Sequence, residues 1–187
     1  MKLLFVASDK AEASVFPPSC QFVFTGVGLA LSGVILSKAI CEFKPDVVIN
    51  IGSVGSINHE IGSVLQIKSI YNLDQDLTCY HVPPCTTLKA DRGMLGELTI
   101  AKEGFVLGSS STFASVVTPL MKDLHLDVCD MEAYSEALAC KEYGIPFYSY
   151  KVVTDIIGIT TKLKEYKKQL SLFKKELVSV VLQQFDL

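Results

Sequence analysis

The 187 residues predict an α/β fold, with a parallel sheet covered by helices. Three observations carry this. Short apolar, β-branched runs such as Val47-Val48-Ile49-Asn50-Ile51 read as buried strands. The order strand, glycine turn, helix, proline, strand between Gln21 and Ile51 is a βαβ unit, whose crossover makes its two strands parallel. Helical periodicity then returns after Glu132 and again near the C-terminal end.

Taken in order, Leu3 to Ala7 is the first buried strand and Gln21 to Thr25 the second. Gly26-Val27-Gly28 breaks that run. A helix follows over Leu29 to Phe43, with Leu31, Val34, Ile35, Ala39 and Ile40 at helical spacing. Lys44-Pro45-Asp46 ends it, because a residue before proline is pushed out of the α region. Val47 to Ile51 is the clearest strand and stops at Gly52-Ser53. Val64 to Ile70 and Phe105 to Gly108 read as strands. Asp74 to Ala101, with Pro83-Pro84 and Gly93, reads as loops. A helix over Glu132 to Tyr143 is stopped by Gly144-Ile145-Pro146, and the strand Phe147 to Val153 ends at Thr154-Asp155. From Lys162 to Gln184 the chain is amphipathic, with Leu170, Phe173, Leu177 and Val181 on one face.

A composition 49% hydrophobic and 20% charged excludes a disordered chain, and the length suits one domain. A net charge of −3 argues against a nucleic-acid partner. The dense basic stretch Lys162 to Lys168, with Lys174-Lys175 after it, is interrupted by glutamates and reads as a solvated helix face. The opening apolar run is too short for a signal peptide, and no run reaches the ~18 residues of a membrane span. A cytoplasmic protein is expected. The six cysteines form no CxxC pair and are expected to be free and mostly buried; neither they nor the histidines have zinc-site spacing.

Ligands of open α/β sheets bind at the carboxyl ends of strands. That rule selects Glu12, Gly26-Val27-Gly28, Gly52-Ser53, Asp130-Met131-Glu132 and Thr154-Asp155. Each has a plainer reading. The glycine pair is a turn, and is neither a dinucleotide fingerprint nor a P-loop. Asp130 and Glu132 complement a helix dipole. Asp155 caps a helix. Glu12 is an exposed acid. His59, His81 and His125 read as surface residues without partners.

In combination these segments are more specific. Thr25-Gly26-Val27-Gly28, followed by Lys44-Pro45-Asp46-Val47-Val48-Ile49-Asn50-Ile51-Gly52-Ser53-Val54-Gly55, resembles the TGVG…KPDxVINxGSAGG signature of the nucleoside phosphorylase / methylthioadenosine nucleosidase family. Asp74-Gln75-Asp76-Leu77-Thr78 is similar to its HDxDxT loop, Asp130-Met131-Glu132-Ala133 to its (D/E)MEA motif, and Ile145-Pro146-Phe147 with Lys151-Val152-Val153-Thr154-Asp155 to its IPF…(R/K)xxSD ending. The motifs stand in family order from Glu12 to Asp155. The resemblance implies one domain over 1–187, with a central mixed, largely parallel sheet flanked by helices, and a homodimer. Departures are a chain shortened between Glu12 and Thr25 and between Thr78 and Phe105, Leu73 in place of the loop histidine, Ser111 in place of the acid of SGDxF, and Thr154 in place of serine.

The implied activity is cleavage of a purine N-glycosidic bond. Asp155 matches the acid that protonates the base, which a dry pocket would keep protonated. Glu132 matches the residue that grips the ribose hydroxyls, and Met131 the one beneath the sugar. Phe113 is placed to stack on the purine. Val27, Gly52, Ser53, Lys151 and Thr154 fall within the matched motifs. Glu12 matches the hydrolases' water-activating glutamate. Asn50 stands where phosphorylases carry a phosphate-binding arginine, and the chain's single arginine is Arg92. Both features favour water as nucleophile, with methylthioadenosine, S-adenosylhomocysteine or a futalosine-type nucleoside as substrate. Two alternatives stay open. One is a phosphorylase binding phosphate through Ser53, backbone N–H groups and a lysine. The other is a non-catalytic nucleoside-binding module. No cofactor or metal is implied, and phosphate would be a co-substrate in the phosphorylase alone.

Overall fold

A computed structural model describes residues 1–91, 93–159 and 163–185, so Arg92 and Lys162 lie outside the described residues. The strands are β1 (Leu3–Ala7), β2 (Phe22–Phe24), β3 (Val47–Ser56), β4 (Val64–Asn72), β5 (Thr87–Leu88), β6 (Met94–Leu95), β7 (Leu98–Thr99), β8 (Phe105–Ser109), β9 (Val128–Asp130) and β10 (Phe147–Ile156). The helices are α1 (Lys10–Ala13), α2 (Leu29–Phe43), α3 (Pro119–Asp123), α4 (Ala133–Tyr143) and α5 (Leu163–Gln184).

The sheet is mixed and largely parallel. β3 pairs in parallel with β1 and β10, and β1 in parallel with β2. β10 and β7 meet β4 antiparallel, β4 and β8 run parallel, β8 and β9 run parallel, and β9 returns antiparallel to the end of β3. Strands β3, β10, β4, β8 and β9 thus close into a ring, with β1 and β2 as an open extension. β5 and β6 form a separate hairpin within the region expected to be loops.

Helices cover both faces, as alternation along the strands requires. Val48 and Val54 of β3 and Phe147 and Val153 of β10 pack with Leu36 and Ile40 of α2 and Ala137 and Cys140 of α4. Ile49, Ile51, Tyr150 and Val152 face the other way, onto Leu170, Leu177, Val178 and Val181 of α5. The apolar face expected for α5 is thus the one that docks.

Some expectations need correction. β3 and β10 do not stop at Gly52-Ser53 and Thr154-Asp155. They run on, because Gly52 and Ser53 pair with Lys151 and Val152, and Asp155 with Gly55, in a ladder of ten-residue strands. α2 has the expected ends, and Lys44 leaves the helix in a left-handed conformation with φ 51°. Its buried face, however, is Leu29, Ser32, Leu36 and Ile40, while Leu31 and Val34 are exposed. Apolar residues lie nearly all round this helix, so periodicity does not select a face. The close approach of Gly33 to Ser135 of α4 does. Asp130 ends β9, and α4 begins only at Ala133. His59 has partners: its Nε2 lies 3.3 Å from Asp127 Oδ1 and its ring packs edge-on against Phe105. The cysteines are free, but only Cys85, Cys129 and Cys140 are buried, and Cys41 and Cys79 are exposed. Among the described residues no helix is long and apolar enough to cross a membrane.

Candidate active site

A cleft of about 500 Å³ lies over the carboxyl-end half of β3. Glu12, Val27, Gly52, Ser53, Phe113, Met131, Glu132, Lys151 and Asp155 all line it. Thr154 does not. It is buried, and its hydroxyl donates to Asp155 Oδ1 at 3.0 Å from behind.

Two glycines on β3 shape the floor. A Cβ at Gly52 would lie 3.0 Å from Glu12 Oε1, and one at Gly55 would lie 2.8 Å from Asp155 Oδ2. Glycine inside a strand marks such close approaches. Each carboxyl group therefore rests directly on the β3 backbone. Asp155 gets there through a bulge: the β10–β3 register shifts between Val153 and Asp155, and Thr154 is the extra residue. One residue of offset turns a side chain to the other face of a strand. Burial then pushes the Asp155 carboxyl above its ordinary pKa, against the opposing effect of the Thr154 hydroxyl.

Glu12 sits on α1, a single turn capped by Asp9. Its Oε2 accepts from Ser8 N at 3.0 Å and Ser8 Oγ at 2.7 Å, and its Oε1 from Ser53 N at 3.0 Å and Ser53 Oγ at 3.1 Å. It is 3% exposed, which overturns the plain reading of a surface acid. Glu132 precedes α4 and accepts from Gly28 N at 3.1 Å. Gly28 has φ 103°, a conformation open to glycine, and this aims its N–H at the carboxylate. Burial, then repulsion from Asp130, pushes the Glu132 carboxyl up to about 7.

Beneath the cleft lies a buried ion pair, Lys151 Nζ to Asp130 Oδ2 at 2.9 Å. Burial alone would lower the lysine pKa, but Asp130 and then Glu136 and Glu132 hold it above its usual value. Asp130 also accepts from Ser109 Oγ at 2.5 Å and from the N–H of Ala133, so the helix-start role read for it is real but shared with Lys151. Asn50, which the resemblance sets where phosphorylases carry an arginine, turns inward: its Nδ2 donates to Glu136 Oε2 at 2.8 Å, and its Oδ1 accepts from Ser149 Oγ at 2.7 Å. Glu136 is wholly buried, and burial pushes it up to about 8.

Sequence reasoning missed Glu136 and Tyr166. The signal for Glu136 was a carboxylate within the apolar stripe Ala133, Ala137, Cys140 of α4. Tyr166 of α5 lines the cleft, and its hydroxyl lies 3.0 Å from Ser53 Oγ. Nothing in the periodicity of α5 marks it. Among the described residues no group of His, Cys, Asp or Glu is arranged to hold a metal ion.

Comparison with known proteins agrees with this geometry. The chain is 25% identical over 181 residues to a 5′-methylthioadenosine/S-adenosylhomocysteine nucleosidase of Bacillus velezensis, covering 85% of this chain and 78% of that protein. It is 27% identical over 154 residues to the enzyme so named from Marinomonas sp., covering 72% of this chain and 67% of the relative. The fold superposes on the Helicobacter pylori 5′-methylthioadenosine/S-adenosyl homocysteine nucleosidase with a TM-score of 0.84 at 13% identity, over 100% of this chain and 98% of that one. Futalosine hydrolase of the same organism gives a TM-score of 0.84 at 13% identity, over 100% and 97%. The family model of the phosphorylase superfamily matches residues 22–184. The chain belongs to the phosphorylase superfamily, the family to which its ordered motifs point.

Proposed function

We propose that this protein hydrolyses the N-glycosidic bond of a purine nucleoside, with residues 1–187 acting as one nucleosidase-like domain. One observation carries the reading: Glu12, Glu132 and Asp155, from three distant segments, meet in a single cleft, two of them against glycines of one strand. The similarity to nucleosidases supports it.

The purine lies at the Asp155 end, beside Phe113. Asp155, its proton retained by burial, protonates the base and makes it a better leaving group. The ribose lies over Met131 and Ser53, and the Glu132 carboxylate accepts from its hydroxyls. As the bond breaks, positive charge develops on the sugar, and Glu132 and Glu12 stabilise it. Glu12 takes a proton from water, which attacks the anomeric carbon. The products are free base and ribose or its 5′-substituted form.

The Ser53 N–H and hydroxyl both face Glu12, and Lys151 is held by Asp130. The donors a phosphorylase would need are therefore committed to carboxylates, which favours water over phosphate. A homodimer, resting on the resemblance alone, and the cytoplasmic location expected from the sequence are part of the same proposal.

The test is base release from methylthioadenosine, adenosine and inosine, with and without phosphate. Release independent of phosphate is expected, falling by about 10²-fold or more in Asp155→Asn. Release only with phosphate would make the protein a phosphorylase. Binding without cleavage of any of the three would leave a nucleoside-binding module.

A further inference from the structure

Glu136 is buried completely, yet it belongs to no step of the reaction proposed above. It lies in the first turn of α4, and its N–H donates to the Glu132 carbonyl at 3.4 Å. The two glutamates reach the same segment, 25–28, between β2 and α2. Gly28 N donates to Glu132 Oε1 at 3.1 Å, and Thr25 Oγ1 lies 3.2 Å from Glu136 Oε1. The other oxygen of Glu136 accepts from Asn50 Nδ2 at 2.8 Å, and Asn50 lines the cleft.

These contacts place a proton. The Thr25 hydroxyl has a single hydrogen, yet it faces Ala7 O at 3.4 Å, Gly26 O at 3.2 Å and Glu136 Oε1 at 3.2 Å. One hydrogen cannot serve all of them. Backbone carbonyls carry none of their own, so the arrangement is satisfied when Glu136 does. Its Oε1–H then donates to Thr25 Oγ1, and the Thr25 hydrogen goes on to a carbonyl. Oε2 faces an amide nitrogen, which only donates, and remains an acceptor. The surrounding charges agree. Lys151 of β10, Asp130 of β9 and Glu132 face Glu136, and Cys140 follows it on α4. Lys151 is the cation of this group, and Asp130 holds it at 2.9 Å. An ionised Glu136 would be a buried charge whose nearest cation is already committed, so the proton is the less costly state. Burial, against the pull of Lys151, raises its pKa to about 8.

We infer that Glu136 is a positioning residue: as a neutral acid it bridges Thr25 and Asn50, and so fixes the 25–28 segment that presents the Gly28 N–H to Glu132. It touches no substrate itself. The inference rests on the reading above, in which Glu132 grips the ribose.

The experiment measures kcat and KM for whichever of methylthioadenosine, adenosine and inosine is cleaved fastest. Glu136→Leu removes both bonds, and KM should rise about tenfold, the order of losing a buried hydrogen bond, with kcat falling less. Loss of folded protein alone would lower kcat and leave KM where it was. Glu136→Gln offers an acceptor to Asn50 and an N–H to Thr25, as the neutral acid does, and should bring KM back to within about threefold of wild type. Thr25→Val removes the hydroxyl at the other end of the bridge. It should raise KM alone and add nothing to Glu136→Leu, and it carries the test if the leucine variant does not fold. A wild-type KM in folded Glu136→Leu or in Thr25→Val overturns the inference, as does a glutamine variant no better than the leucine one. The proton has a readout that needs no substrate. With glutamate isotopically labelled at its side-chain carboxyl carbon, the resonance that Glu136→Gln removes should sit at the position of a protonated acid at neutral pH. Finding it at the carboxylate position overturns the inference. If no nucleoside is cleaved, the hydrolase reading falls separately. The same variants are then compared by the dissociation constant of methylthioadenosine, and the carboxyl resonance decides if it does not bind.

Discussion

Gly55 has no room for a side chain, because a Cβ there meets Asp155 Oδ2 at 2.8 Å and Ile157 Cγ1 at 3.2 Å. Gly55→Ala should displace Asp155 and lower kcat by about 10²-fold, the order of losing an acid catalyst, while the melting temperature moves by only a few degrees. Wild-type turnover in the alanine variant would mean that Asp155 is not held there. The buried acids also set pH behaviour. On the proposed mechanism Glu132, pushed up to about 7 by burial and by Asp130, ionises to accept ribose hydroxyls, so kcat/KM should rise through that pH. On the proposed mechanism Asp155 acts as an acid, so turnover should fall where its carboxyl, raised by burial, ionises. Stability runs with one sign: folded Glu132 and Glu136 hold protons that unfolded glutamates, near 4.5, have released. Stability should therefore fall as pH rises from about 4.5 to about 8. The raised pKa of Lys151 acts only in strongly alkaline solution, where rising pH removes its contribution. Glu136→Gln should flatten the fall of melting temperature between about pH 5.5 and about pH 8; an unaltered slope would exclude Glu136 as its source. At this scale the sequence displayed Glu12, Glu132 and Asp155 as acids at element ends. It could not display Tyr166, whose placement depends on which side of α5 meets the cleft, and it marked Glu136 only as a carboxylate within the apolar stripe of α4.

Among the elements, the bulge in β10 does the work of aiming the acid. Deleting Thr154 would restore regular alternation and turn the Asp155 side chain off Gly55. Base release should be lost with the strand still paired, so circular dichroism would stay native while turnover disappears. Retained turnover would show that another group protonates the base. Helix packing makes a separate prediction. A Cβ at Gly33 of α2 would come within 3.1 Å of Ser135 Cβ on α4. Gly33→Leu should cost about 1–3 kcal/mol by overpacking, seen as a lower urea midpoint. The ends of α2 and α4 were legible because glycine and proline punctuate them. The face of α2 was not, since a helix apolar on every side carries no directional pattern. β9, at three residues, is too short for alternation to register. The glycines of β3 resemble a turn until the carboxylates that need the space are in view.

On the scale of the whole molecule, a βαβ unit announces an α/β sheet, but ring closure is a long-range outcome. It depends on β9 returning to the last residues of β3 and on β10 lying between β3 and β4. No local pattern encodes either. Closure has a consequence for how the protein comes apart. A strand at an open edge can detach alone, whereas a strand within a ring is bonded on both sides. Amide hydrogens of β3 and β10 should therefore exchange with solvent deuterium together, at the rate of global opening. Those of β2, which among the described residues pairs only with β1, and of the separate β5–β6 hairpin should exchange earlier. The floor of the cleft lies within the slow-exchanging ring, while α1, one turn long, and α5 rest against it from outside. Breathing of those two helices would open the cleft beside Glu12 and leave the strand under Asp155 unmoved.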